Sequence, residues 1–181
     1  VTSEPSTLRP PETPTYANVF LDALHAAEVD IVTAVPESLL KAVFARLPDE
    51  PDIAYVRASN EADMPGILAG AYLGGSRALM MIENSGLRQA CEPIARFSHA
   101  HHVPLVMVVA HRGDFGEPNW WGHNHHQVMG PLLDALRIPL RRVDRLDIVA
   151  DELRKAFVHA DASQWPVCLA FSGECIEGGA A

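Results

Sequence analysis

Cysteine is scarce in this chain. Cys91, Cys168 and Cys175 are the only three in 181 residues, odd in number and widely scattered. That excludes a disulfide framework and the paired spacings of a structural zinc site, and it points to reduced thiols. Basic residues are also few, with 14 Lys and Arg against 23 Asp and Glu, a formal charge of −9. This balance argues against nucleic acid or an anionic membrane as the main partner. No apolar run approaches the ~20 residues of a membrane span. The first residues have neither the basic start nor the apolar stretch of a signal peptide, so a cytoplasmic protein is expected. No Gly-x-Gly-x-x-Gly fingerprint and no P-loop occur. The usual dinucleotide and nucleoside-triphosphate readings therefore lack their phosphate cradle.

What is present alternates regularly. Residues 1–15, rich in Pro, Ser, Thr and Glu, read as a disordered or extended arm. A domain is expected over 16–175 and a tail over 176–181. Tyr16 to Glu28 has helical periodicity, and Asp30 to Val35 is a short apolar strand ended by Pro36. Ser38 to Leu47 reads as a helix with Ser38 as its cap. A strand from Ile53 to Val56 precedes a helix opened by Glu61 and ended by Gly74-Gly75. Arg77–Ile82, Pro104–Ala110, Leu140–Val143 and Val167–Phe171 are further strands; Leu87–Ser98, Met129–Leu136 and Asp147–His159 are further helices. A polar loop is expected from His111 to about Gln127. Six strands alternating with helices, several apolar on both faces, predict an α/β fold: three α/β/α layers around a six-stranded parallel sheet. In such a sheet the loops at the carboxyl ends of the strands are the ones to search.

Glu61 stands out among those loops. The helix it opens is small and apolar beyond its first turn, with Gly66, Gly70, Gly74 and Gly75 along it. Such a helix is expected to be buried on most sides, with something packed very close. An acid at its mouth is either compensation for the helix dipole, contributing about 0.3–1 kcal/mol, or a chemical group. Asn84-Ser85-Gly86 is either an ordinary turn or a loop whose backbone approaches a ligand. The stretch from His111 to Gln127 holds four of the nine histidines. It reads as a wet surface loop with Trp120 and Trp121 on a neighbour, as a metal site, or as imidazoles acting near neutral pH. His123, His125 and His126 lack the helical spacing of a zinc enzyme, and no metal ligand is assigned to this chain. His99, His101 and His102 read as structural groups at a helix end.

Several motifs together resemble a known group. Asn60-Glu61, then Gly70 and Gly74-Gly75, resemble the pyrimidine-binding domain of thiamine diphosphate enzymes. Glu83-Asn84-Ser85-Gly86-Leu87 is similar to the Asn-Ser-Gly signature of sulfopyruvate and phosphonopyruvate decarboxylases. Val35-Pro36-Glu37-Ser38, His111-Arg112-Gly113, Gly116-Glu117-Pro118-Asn119 and Pro131 to Leu136 continue the likeness, which covers roughly residues 16 to 171. His125-His126 is similar to the paired histidines of pyruvate-type decarboxylases.

The resemblance implies a role for each position. Glu61 would hydrogen-bond N1′ of the cofactor's aminopyrimidine and favour the tautomer that deprotonates the thiazolium. Asn84, Ser85 and Gly86 would line the cofactor and substrate. His125 and His126 would be acids or anion donors. Pro36, Ser38, Arg112 and His123 would face a small anionic 2-oxo acid. Such enzymes hold magnesium and the diphosphate with a Gly-Asp-Gly segment, and none occurs here. The resemblance thus implies the α subunit of a heteromeric decarboxylase, α2β2 or larger, active only with a β subunit that binds Mg2+. A carboligase subunit and a non-catalytic assembly module are the alternatives.

Overall fold

The computed structural model describes residues 15–177; the expected N-terminal arm, apart from Thr15, and the end of the tail lie outside them. In chain order the elements are α1 (Tyr16–Ala26), β1 (Ile31–Ala34), α2 (Lys41–Arg46), β2 (Ala54–Arg57), α3 (Met64–Leu73), β3 (Ala78–Glu83) and α4 (Leu87–Ile94). Then come β4 (Val106–His111), α5 (Trp120–Ala135), β5 (Leu140–Val143), α6 (Val149–Ser163), β6 (Val167–Ser172) and α7 (Gly173–Glu177). The six strands form one sheet in the order β2-β1-β3-β4-β6-β5, and every pairing is parallel.

Period-two alternation in the central strands divides the core. Leu79, Met81, Val106 and Val108 face the layer that includes α1, α2 and α6. Met80, Ile82, Met107 and Val109 face the layer that includes α3, α4 and α5. Residues of β4 are buried throughout, as a central strand covered on both faces requires. The chain moves outward from β1 to β2 and returns on the other side of β1 to form β3. That reversal opens a crevice at the carboxyl ends of β1 and β3, where ligands of open α/β sheets bind.

Three local expectations are corrected. Ser38 does not cap α2, whose N-cap position is Leu40. The carboxylate of Glu37 instead accepts from the backbone N–H groups of Leu39 and Leu40, at 2.5 and 2.6 Å. Its two oxygens meet two orphan donors at once, which one hydroxyl does less well. Next, α3 begins at Met64, so Glu61 lies in the preceding turn rather than in the helix's first turn. Only Met64, Pro65, Leu68 and Ala69 of that helix are buried, while Leu73 is 78% exposed and a Cβ on Gly70 would meet nothing. Gly66 does pack closely, against the ring of Phe97. Finally, the loop after β4 ends at Asn119, and α5 carries Trp120 to Ala135. The carboxylate of Glu117 accepts from the Asn119 backbone and side chain, at 3.0 and 2.8 Å, and organises the entry to α5.

Candidate active site

The turn between β2 and α3 sets Glu61 by contacts on both sides. The side-chain oxygen of Asn60 accepts from the Ala62 N–H at 2.8 Å, a local turn of the kind Asn favours. Its amide nitrogen donates to Gln89 of α4 at 2.5 Å, tying the turn to the next helix. The half-buried Glu61 carboxylate rests directly on Gly86, where any Cβ would overlap its Cγ and Oε1. Glycine at 86 thus leaves the space in which the Glu61 carboxylate rests. No hydrogen bond or ion pair engages the Glu61 carboxylate among the described residues.

A second cluster gathers between the ends of β1, β3 and β4. Asn84 is buried, and its amide donates to the Arg112 carbonyl at 2.8 Å and accepts from the Arg112 N–H at 3.2 Å. Both ends of the amide serve to clasp the loop after β4, so Asn84 supports the crevice rather than presenting free groups to it. Ser85 beside it is half-buried. The Arg112 guanidinium donates to Ser38 Oγ at 2.6 Å and lies 3.5 Å from Glu83 and 3.6 Å from Glu117. Burial pushes the Glu37 carboxyl above its ordinary range, against the two backbone hydrogen bonds it accepts, and the neighbouring Glu83 charge pushes the same way. Burial acts upward on Glu117 too, but hydrogen bonds from Asn119 and the Arg112 charge outweigh it and hold that carboxyl low. Arg112 is therefore already an internal counter-ion, and Pro36 and Ser38 are exposed at the rim.

Helix α5 separates the histidines. Its 100° step per residue turns adjacent side chains to different surroundings. His123 is exposed and makes no hydrogen bond among the described residues. His125 is half-buried within the electrostatic reach of Glu83 and Arg88, and its Nδ1 is buried without a partner. Burial, with help from Arg88, lowers its pKa below the usual imidazole value, against the opposing charge of Glu83. His126 instead faces His111, with ring centroids 5.0 Å apart. The Nδ1 of His111 lies 3.1 Å from Asp114. Gly113, at φ +98°, packs on the Gly122 carbonyl and on His126, where any Cβ would collide.

Sequence reasoning missed Gln89, Glu37, Glu83, Glu117, His111 and Asp114 as members of this edge. Their positions after strands were a usable signal, but their partners sit on other elements. Asn84, Ser85 and Gly86 lie directly after β3, and His125 and His126 have different neighbours, Glu83 and Arg88 for the first and His111 for the second.

No family model matches the chain. It is similar to sulfopyruvate decarboxylase subunit alpha of Methanococcus maripaludis, 36% identical over 61% of this chain and 66% of that subunit. The same subunit of Methanothermobacter thermautotrophicus is 30% identical over 64% of this chain and 70% of the relative. A phosphonopyruvate decarboxylase of Streptomyces viridochromogenes is 29% identical over 75% of this chain but only 34% of its own length. Among solved structures, a 2-oxoglutarate:ferredoxin oxidoreductase from Magnetococcus marinus superposes with a TM-score of 0.67 over 90% of this chain and 29% of that one. At 16% identity that likeness shows a shared fold.

The six-stranded parallel α/β/α fold is the one this chain shares with that part of the oxidoreductase. The chain belongs to the family of sulfopyruvate decarboxylase α subunits.

Proposed function

We propose that this chain is the α subunit of a thiamine diphosphate-dependent decarboxylase acting on a small anionic 2-oxo acid, sulfopyruvate or phosphonopyruvate being the first to test. The observation that carries the proposal is the Glu61 carboxylate, held on Gly86 at the sheet edge with no described partner of its own. It fits a ring nitrogen, since a carboxylate on that cradle can share a proton with N1′ of an aminopyrimidine. When bound, thiamine diphosphate supplies an electron sink for the pair released as the substrate carboxylate leaves as carbon dioxide.

The chain's own residues divide the remaining work. Glu61 holds and shares the proton. Gly86 keeps room for it, and the Asn60–Gln89 bond fixes the turn that carries it. His125, whose pKa burial and Arg88 lower, would exchange a proton near Glu83. Ser38, Ser85 and the outer rim at Pro36 and His123 would meet the substrate. Arg112 would hold its anionic tail only by loosening a contact to Glu83 or Glu117.

Magnesium and the diphosphate would be held by a β subunit. The open face of α3 suits that partner, because the helix that follows the Glu61 turn is uncharged and leaves Gly70, Tyr72 and Leu73 uncovered toward its far end. No helix among the described residues is long and apolar enough to cross a membrane. Co-expression with a chain carrying Gly-Asp-Gly, followed by carbon dioxide release from a panel of 2-oxo acids, tests the reading. Activity is expected only with both chains, thiamine diphosphate and Mg2+. Full turnover by Glu61→Gln in the assembled enzyme would sink it.

A further inference from the structure

We propose that His111, Asp114 and His126 form a binding site for a divalent transition-metal ion of the zinc type. The site stands on a different set of contacts from the Glu61 cradle. One imidazole comes from the end of β4, the carboxylate from the loop after it, and the second imidazole from α5. Their ligand atoms all lie within 4.8 Å of one another. Two imidazoles and one carboxylate are a donor set that suits Zn2+ and its neighbours in the first transition row. Ligand bonds of about 2.0–2.2 Å put donor atoms roughly 3.5 Å apart, so side-chain shifts of about an ångström complete the set.

The backbone is built for this approach. Gly113 takes φ +98°, a conformation that L side chains rarely adopt, and so lets Asp114 fold back on His111. The same glycine packs on His126 and the Gly122 carbonyl with no room for a side chain, which fixes the loop against α5.

An independent observation points to a missing partner. His111 is 2% exposed, yet its Nε2 is buried with no hydrogen-bond partner, and the same holds for Asp114 Oδ2. Buried polar atoms are ordinarily satisfied, and each exception calls for a cause. Arg142 stands 3.8 Å from Asp114 and 3.5 Å from His111 and is the local cation without metal. Its side chain is more than half exposed, so it can swing to water when a metal takes its place. A cavity of about 250 Å3 borders two of the three ligands, His111 and Asp114, and gives solvent a way to that side of the cluster. The site is therefore of the open kind, three protein ligands plus solvent.

Untagged, metal-free full-length chain is titrated with Co2+ and followed by visible absorption, then by displacement with Zn2+. One Co2+ per chain is expected, with d–d bands that one equivalent of Zn2+ removes. Asp114→Asn and His126→Gln, checked for folding by circular dichroism, should each weaken binding at least ten-fold. His123→Gln should leave it unchanged, and Arg142→Met should tighten it. Absence of stoichiometric Co2+ uptake overturns the proposal, as does binding that survives Asp114→Asn or is lost in His123→Gln. No turnover is measured, so the result is independent of the decarboxylase reading.

Discussion

Two charged groups at the same sheet edge are treated in opposite ways. Glu61 sits on a bare glycine and is left without a side-chain partner among the described residues. Arg112, only 17% exposed, is held by Ser38, Glu83 and Glu117 and by the backbone clasp of Asn84. Glu61 is half-buried, so its free oxygens remain open to a ligand or partner at the edge. A buried charge with several partners is structure. On the proposed function the contrast leaves Glu61 as the group free to meet a cofactor, while Arg112 is already engaged by the loops around it.

The strongest way to break the contrast is Glu61→Gln. In the assembled enzyme, loss of a carboxyl that shares a proton should cut kcat by roughly 10²–10⁴-fold with assembly intact. Steady-state decarboxylation and gel filtration together check this. Gly86→Ala comes next. A methyl there displaces the Glu61 carboxylate, the free end of a flexible half-buried side chain, so it should cost most of the activity and under about 1 kcal/mol of stability, read by turnover and thermal melts. Arg112→Met should act mainly on folding. It leaves Glu83 and Glu117 facing each other without their cation, and a loss of about 2 kcal/mol is expected in urea unfolding. If Arg112→Met instead raises KM alone and leaves stability intact, the structural reading of Arg112 fails.

A change on the open face separates assembly from chemistry. A Cβ at 70 meets nothing and the position is exposed, so Gly70→Arg should shift the melting by under about 2 °C while partner binding falls at least ten-fold. Binding to the candidate β subunit by calorimetry provides the check. The smallest effect is the pH dependence of folding. Burial holds His111 and His125 below the ordinary value of 6.5. Below that value the unfolded chain takes up protons that the folded chain refuses, so stability is fully present above it. Stability should decline as pH drops from about 7 toward 5, and His125→Gln should make that decline shallower in urea titrations.

Much of the fold was legible from residue order. Period-two apolar runs such as Ala78 to Ile82 and the wholly buried β4 are local signals, and they place both faces of the sheet. Helix boundaries were less legible where propensity and packing disagree. Trp120 to His126 is poor in strong helix formers, yet it is helical because Gly122 packs on Glu117 and Gly113 packs on the helix. Ser38 does not cap α2 for a similar reason: its hydroxyl meets Arg112, more than seventy residues away, while Glu37 holds the backbone of Leu39 and Leu40 ahead of the helix. The open face of α3 was hidden because an apolar helix reads as buried until one knows what covers it.

The sequence by itself determined the alternation of strands and helices, the parallel sheet, and the position of Glu61 after the second strand. These depend on short-range periodicity and on side-chain chemistry that neighbouring residues share. Only the tertiary structure decided which groups meet. It set Glu61 on Gly86, bound Arg112 among carboxylates, and turned His125 and His126 to different surroundings. Those contacts join residues far apart in the chain, and their strength depends on burial and on the dielectric around them, which no local pattern encodes.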